Sequence, residues 1–171
     1  MNKETLLVEE LVKNALYRMD ESTRMIQKSL TEISEDEVWL KPNESLNSIA
    51  NLILHLCGNI TQYIISSLGE KEDIRERDLE FFTSKGLNKS ELFTKLEATV
   101  DTAKRVIFDA DTEQLLKIRD VQGFSFSGVG VILHVVEHYS YHTGQIAFWV
   151  KQLKNKDLGF YKGRDLNTKN K

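Results

Sequence analysis

An all-α fold, a four-helix bundle, is what this sequence predicts, and three observations carry the prediction. One proline and nine glycines in 171 residues leave few places to break a helix, whereas an all-β domain needs many turn residues. Apolar residues recur at threes and fours along four long stretches. Two of those stretches are nearly free of charge although 29% of the chain is Asp, Glu, Lys or Arg. Four helices, two of them charge-poor, read as a bundle.

The first helix carries Val8, Leu11, Val12, Ala15, Leu16, Met19, Ile26, Leu30 and Ile33 as one apolar stripe. Ser34 with Glu37 is a capping-box pattern that opens a short turn bearing Trp39, and Pro42 stops it. A second helix is expected over roughly 45–69, where no Lys, Arg, Asp or Glu occurs. Residues 70–87 form a charged connection with no element assigned. The third helix opens at the Asn88/Glu91 pair and places Leu92, Leu96, Val100, Ala103 and Ile107 at core spacing. Residues 109–126 are expected to be an irregular loop packed on the bundle. The fourth helix runs from about Ser127 to Leu153, within a stretch (Val121 to Val150) whose one formal charge is Glu137. The organisation predicted is one domain over 1–155 and a loose basic tail over 156–171.

Composition removes several classes of function. A formal net charge of −3 does not suit a binder of phosphate backbones, so no nucleic-acid partner is expected. The charge-free stretch is not a membrane helix, because polar residues such as Asn47, Asn51, His55, Asn59 and Gln62 interrupt it. The opening MNKETLLVEELV has acids inside its first apolar run and no small-residue cleavage site, so it is not read as a signal peptide. The single cysteine, Cys57, has no intrachain partner, and a reducing cytoplasmic setting is expected. The two charge-poor helices also suggest an uncharged interface core and hence a homodimer.

The four histidines carry the chemistry. His134, His138 and His142 lie at i, i+4 and i+8 and share one face of the fourth helix. An i, i+4 imidazole pair can converge on one metal ion. On the second helix Ser48, Asn51, His55, Asn59 and Gln62 form a narrow polar stripe without charge, which reads as the wall of an enclosed wet cavity. Set opposite the histidine face, His55 becomes a third ligand. Three neutral imidazoles leave coordination positions open, as a catalytic metal requires. Geometry alone leaves two pairs possible on the fourth helix, His134 with His138 or His138 with His142.

Other residues compete for attention. His134, Glu137 and His138 spell the inverted zinc-peptidase pattern, but no acidic third ligand follows outside the tail. Cys57 points about 200° away from His55 on a regular helix, so a buried structural thiol is expected. Gln145 lies on the His138 face and can hydrogen-bond bound water or substrate, a low-ranked catalytic role. Gly58 and Gly144 fit close helix approach beside the site or simple tight packing.

SEDEVWLKPNESLNSIANLILHLCGNI resembles the first half of the DinB-like superfamily of four-helix bundles, and HVVEHYSYHTGQIAFWVKQL resembles its second half. The distinctive part is His55 combined with His138, His142, Gly144 and Gln145. The resemblance implies that His55, His138 and His142 ligate one divalent ion, zinc or nickel, and that His134 stands outside the ligand set. It also implies a thiol S-transferase type of enzyme using a low-molecular-weight thiol such as bacillithiol on a small electrophile. Thr143 stands where an arginine often precedes Gly-Gln, so substrate specificity does not carry across. A metal-dependent hydrolase and a non-catalytic metal-binding scaffold are the alternatives.

Overall fold

The computed structural model of the chain describes residues 2–170; Met1 of the expected domain and Lys171 of the expected tail lie outside them. The order is α1 (Lys3–Thr31), α2 (Glu35–Val38), α3 (Ile49–Ile60), α4 (Arg77–Phe82), α5 (Lys89–Asp109), α6 (Thr112–Leu116), β1 (Ile118–Val121), β2 (Phe124–Ser127) and α7 (Gly128–Lys154). The long helices α1, α3, α5 and α7 form the all-α bundle. A π-helical run, Thr61–Leu68, continues α3.

Cross-helix pairs fix the directions. Thr23 meets Tyr139 and Lys28 reaches the Gly159 carbonyl just past α7, so α1 and α7 run in the same sense. Asp20 pairs with Lys104 while Lys89 donates to the Leu30 carbonyl, so α1 and α5 run oppositely. His55 packs on His138, and Tyr63, in the π-helical continuation of α3, stacks on His134, which makes α3 antiparallel to α7. The bundle therefore goes up, down, down, up. Its core runs the whole length, from Val12, Met19 and Ile26 of α1 to Val131, Ile146 and Val150 of α7. No helix among the described residues is long and apolar enough to cross a membrane.

Local chemistry sets the ends of these elements. The Ser34/Glu37 and Asn88/Glu91 capping boxes form as the sequence suggests. The second helix starts at Ile49 rather than near 45, because Ser48 caps it and the Asn51 side chain completes a box with the Ser48 backbone. Residues 109–126 are more regular than expected. They hold α6 and a two-stranded antiparallel hairpin in which Val121 pairs with Phe124. Gln122 and Gly123 turn that hairpin with φ of 54° and 80°, the positive pair a two-residue turn of this twist requires.

One expectation changes once side chains are in view. Ser48, Asn51 and Gln62 do not line a wet cavity. Ser48 and Asn51 are fully buried in the cap, and the Asn51 amide donates to the Glu80 and Thr83 carbonyls. Gln62 bonds Asp73 and Arg75. The polar stripe thus receives the charged connection, whose own polar groups need partners where it crosses α3. Every residue of α3 except Leu54 and Gly58 is buried. Its lack of charge is explained within one chain, and no second copy is needed to account for it.

Beyond α7, Leu158 is buried and Arg24 donates to the Phe160 carbonyl, so residues 158–160 lie against α1. Replacing the buried cap Ser48 by Ala should cost about 1–2 kcal/mol, the upper range for a helix N-cap. Urea unfolding of the Ser48→Ala protein measures it; an unchanged midpoint would show that the cap does not hold the start of α3.

Candidate metal centre

Three of the four histidines come together. One ring nitrogen from each of His55, His138 and His142 lies within 4.8 Å of the others. His55 Nε2 faces His138 Nε2 at 2.9 Å, and the His138 and His142 rings meet edge to face at 4.5 Å. A tetrahedral ion bonded at ~2.0–2.1 Å would set such nitrogens about 3.3 Å apart, so the cluster needs only small shifts to hold one. Among the described residues no Cys, Asp or Glu joins the cluster. The donor set suits a divalent ion of intermediate softness, and positions for exogenous ligands stay open.

Outer partners orient two of the rings. Glu80 Oε2 lies 2.9 Å from His55 Nδ1. Burial pushes the Glu80 carboxyl up, but hydrogen bonds from Arg75 and His55 outweigh it and hold the group below its ordinary range. An ionised carboxylate only accepts, so His55 Nδ1 carries the proton and Nε2 presents its lone pair to the cluster. Likewise Gln145 Oε1 lies 2.6 Å from His142 Nδ1, which fixes that imidazole as the Nδ1–H form. Gln145 thus touches a candidate ligand directly.

Arg75 completes the arrangement. Its side chain is only 3% exposed, and its guanidinium grips Glu80 in a fork, Nε to Oε1 at 2.7 Å and Nη2 to Oε2 at 2.8 Å. The pair lies directly on α3 because residue 58 is glycine. A Cβ there would fall 1.8 Å from Glu80 Oε1 and 2.9 Å from Arg75 Nε. Close approach therefore explains Gly58. Gly144 has no such neighbour, since a Cβ there would meet nothing within 4 Å, and tight packing does not explain it.

Sequence reasoning missed Glu80 and Arg75. They lie in the connection 70–87, where acids and bases are dense and none stands out by spacing. The one available signal was Gly58, a glycine inside a helix three residues past His55.

His134 is outside the group of converging nitrogens, although its ring stacks on His138 with centroids 5.4 Å apart. It stacks on Tyr63 with centroids 4.1 Å apart, and Asn59 Nδ2 lies 3.4 Å from its Nε2. Asn59 Oδ1 is buried there without a partner. Glu137 is exposed on another face of α7, which removes the base that the inverted peptidase pattern needs. Cys57 is buried against α5, and burial pushes its thiol up to about 11, so it is not a nucleophile at neutral pH.

The three imidazoles of α7 are biased toward the neutral form. Burial lowers His138 to about 3, helped by the neighbouring His142 and His55, and burial also lowers His134 and His142. These groups take up protons less readily folded than unfolded, where protonation sets in below about 6.5. Together with the lowered Glu80, they contribute stability that is present above the unfolded values and lost on acidification. Metal-free protein should therefore lose stability steadily as pH falls from 6.5 toward 3, which urea midpoints across that range measure; a flat profile would contradict neutral imidazoles. Removing Arg75 strands a buried carboxylate. Arg75→Met should cost about 3–5 kcal/mol in the same unfolding assay, and a change under 1 kcal/mol would mean that Glu80 is solvated.

A family model for a protein of unknown function, DUF1572, matches residues 7–161. No curated protein matches in sequence. The fold is shared with a DinB-like protein, YjoA, from Bacillus subtilis at 18% identity and TM-score 0.65, covering 91% of this chain and 99% of that one. A conserved protein from Enterococcus faecalis is similar at 16% identity and TM-score 0.71, covering 84% and 97%. A variant of the mycothiol-dependent maleylpyruvate isomerase is similar at 13% identity and TM-score 0.61, covering 79% of this chain and 60% of that protein. With the family match over most of its length, the chain belongs to the DUF1572 family, and its bundle shares the DinB-like fold.

Proposed function

We propose that this protein is a cytoplasmic, metal-dependent enzyme in which His55, His138 and His142 ligate one divalent ion, zinc or nickel. The observation that carries the reading is the cluster itself. Three imidazoles converge within 4.8 Å, two with their outer nitrogens already committed to Glu80 and Gln145, and no fourth protein ligand joins them among the described residues. A closed structural site would supply that fourth ligand, so the open set favours turnover over a scaffold. An ion bound there supplies positive charge that lowers the pKa of a thiol or water beside it toward neutrality.

The reaction proposed is S-transfer from a low-molecular-weight thiol to a small electrophile. The similarity in fold to a mycothiol-dependent isomerase supports it, although that likeness speaks for the fold alone. Glu80 and Arg75 hold the His55 ring, and Gln145 holds His142 and faces the space where substrate would sit. A second reading, hydrolysis with water as nucleophile, is favoured by one observation. The cavity beside His142 has no Lys or Arg in its lining to receive the carboxylates that such thiols commonly carry.

Elemental analysis of purified protein should find about one ion per chain. His55→Ala, His138→Ala and His142→Ala should each purify essentially metal-free, while His134→Ala keeps most of its metal, since an outer residue typically costs only 10–100-fold in affinity. All four should stay folded, because a domain of this size does not need an ion to build its core. Loss of metal in His134→Ala with retention in His142→Ala would mean that the site lies one helical turn away. Incubating the loaded protein with a thiol and a generic electrophile separates the two chemistries: thiol-dependent product supports S-transfer, and thiol-independent product supports hydrolysis.

A further inference from the structure

A cavity of about 600 Å³ opens beside the histidine cluster. Its walls come from the loop before α3 and from the C-terminal half of α7, and it reaches the cluster through His142 and Gln145. That volume lies in the range of sites for small organic molecules. No Lys, Arg, Asp or Glu lines it. Leu46, Leu52, Tyr141, Phe148 and Trp149 are the large apolar residues of the wall, with Ser45, Asn47 and Gln145 among its polar groups.

Exposure gives a second, independent observation. Leu46 is 48% exposed, Tyr141 61% and Phe148 70%, large apolar side chains from two separate segments gathered around one opening. Apolar surface that converges on a concave site gains free energy when a ligand covers it. An ionised group would be desolvated against walls holding no countercharge, which disfavours it strongly. Gly144 adds a third. It lines the cavity, a Cβ there would meet nothing within 4 Å, and glycine costs about 1 kcal/mol in a helix relative to alanine. Neither turn nor packing requires a glycine at this place; open space for a ligand does.

We propose that this cavity binds the uncharged, apolar portion of the substrate, an aromatic or bulky alkyl group, beside His142, and that Gly144 keeps it open. The inference rests on the metal-enzyme reading for what happens to the ligand, but the binding preference belongs to the cavity. A charged group on the portion lodged among Tyr141, Phe148 and Trp149 is disfavoured by desolvation, whereas a neutral one is held there, with Gln145 placed to meet a polar atom near the cluster.

The probes are N-phenyl-1-naphthylamine and its 8-sulfonate, fluorophores on one skeleton that differ by a single negative charge. The purified protein, stripped of metal so that no ion supplies a countercharge, should bind the neutral probe at one per chain and the sulfonate at least tenfold more weakly. Gly144→Leu should weaken the neutral probe at least tenfold without lowering the thermal midpoint or the metal content. Gly144→Ala should raise the thermal midpoint, which shows that the position tolerates a side chain. Equal affinity for the two probes overturns the charge preference, and unchanged affinity in Gly144→Leu overturns the cavity. If the protein as purified carries no metal and the neutral probe still binds in a Gly144-sensitive way, this proposal stands and the metal-enzyme reading falls.

Discussion

A buried carboxylate held between a guanidinium and an imidazole organises this protein. Glu80 takes two hydrogen bonds from Arg75 and one from His55. Three donors offset the desolvation of its charge, which burial alone would not allow. The same contact settles the His55 tautomer and aims its free lone pair at α7. It also ties the connection between the second and third long helices onto the surface of α3. Gly58 and Asn51 belong to that contact as much as the charged residues do, one by leaving room and the other by bonding the Glu80 and Thr83 carbonyls.

The neighbouring geometry follows from where the helices meet. α3 and α7 run antiparallel, so His55 faces His138 and His142, and Tyr63 further along α3 reaches back toward His134 and Phe126. The change from α to π winding at Thr61 falls between these two sets of contacts. Such wide turns recur beside functional sites because they alter the direction of the side chains that follow. Here Gln62 meets Arg75, and the Tyr63 hydroxyl donates to Gln122 in the hairpin turn. Hairpin, π segment and α7 thereby enclose His134 on the side of the cluster away from the Gly144 cavity.

Much of this was legible in the sequence, for identifiable reasons. The long helices follow from periodicity, and their starts from capping residues whose hydrogen bonds are local. The histidine cluster was readable because imidazoles at i and i+4 must share a face, and because His55 sits on a helix that lacks charge. What escaped depends on contacts distant in sequence. Glu80 and Arg75 look like any other charges in a charged connection until the chain folds them onto α3. Ser48, Asn51 and Gln62 are polar and uncharged in either reading, so sequence alone could not separate a cavity wall from a surface that receives another segment. The hairpin was missed because its strands are four residues each, too short for alternation to show, although Gly123 marked its turn.

Everything about the chemistry depends on how many imidazoles hold the ion. X-ray absorption at the zinc edge of the zinc-loaded protein counts them directly. The geometry predicts three imidazole nitrogens at ~2.0–2.1 Å, one or two further light atoms from exogenous ligands, and no sulfur from the protein. A fourth imidazole would bring His134 into the site, and a sulfur ligand at ~2.3 Å would bring in Cys57; either result contradicts an open three-histidine centre built on the contact between Glu80 and His55.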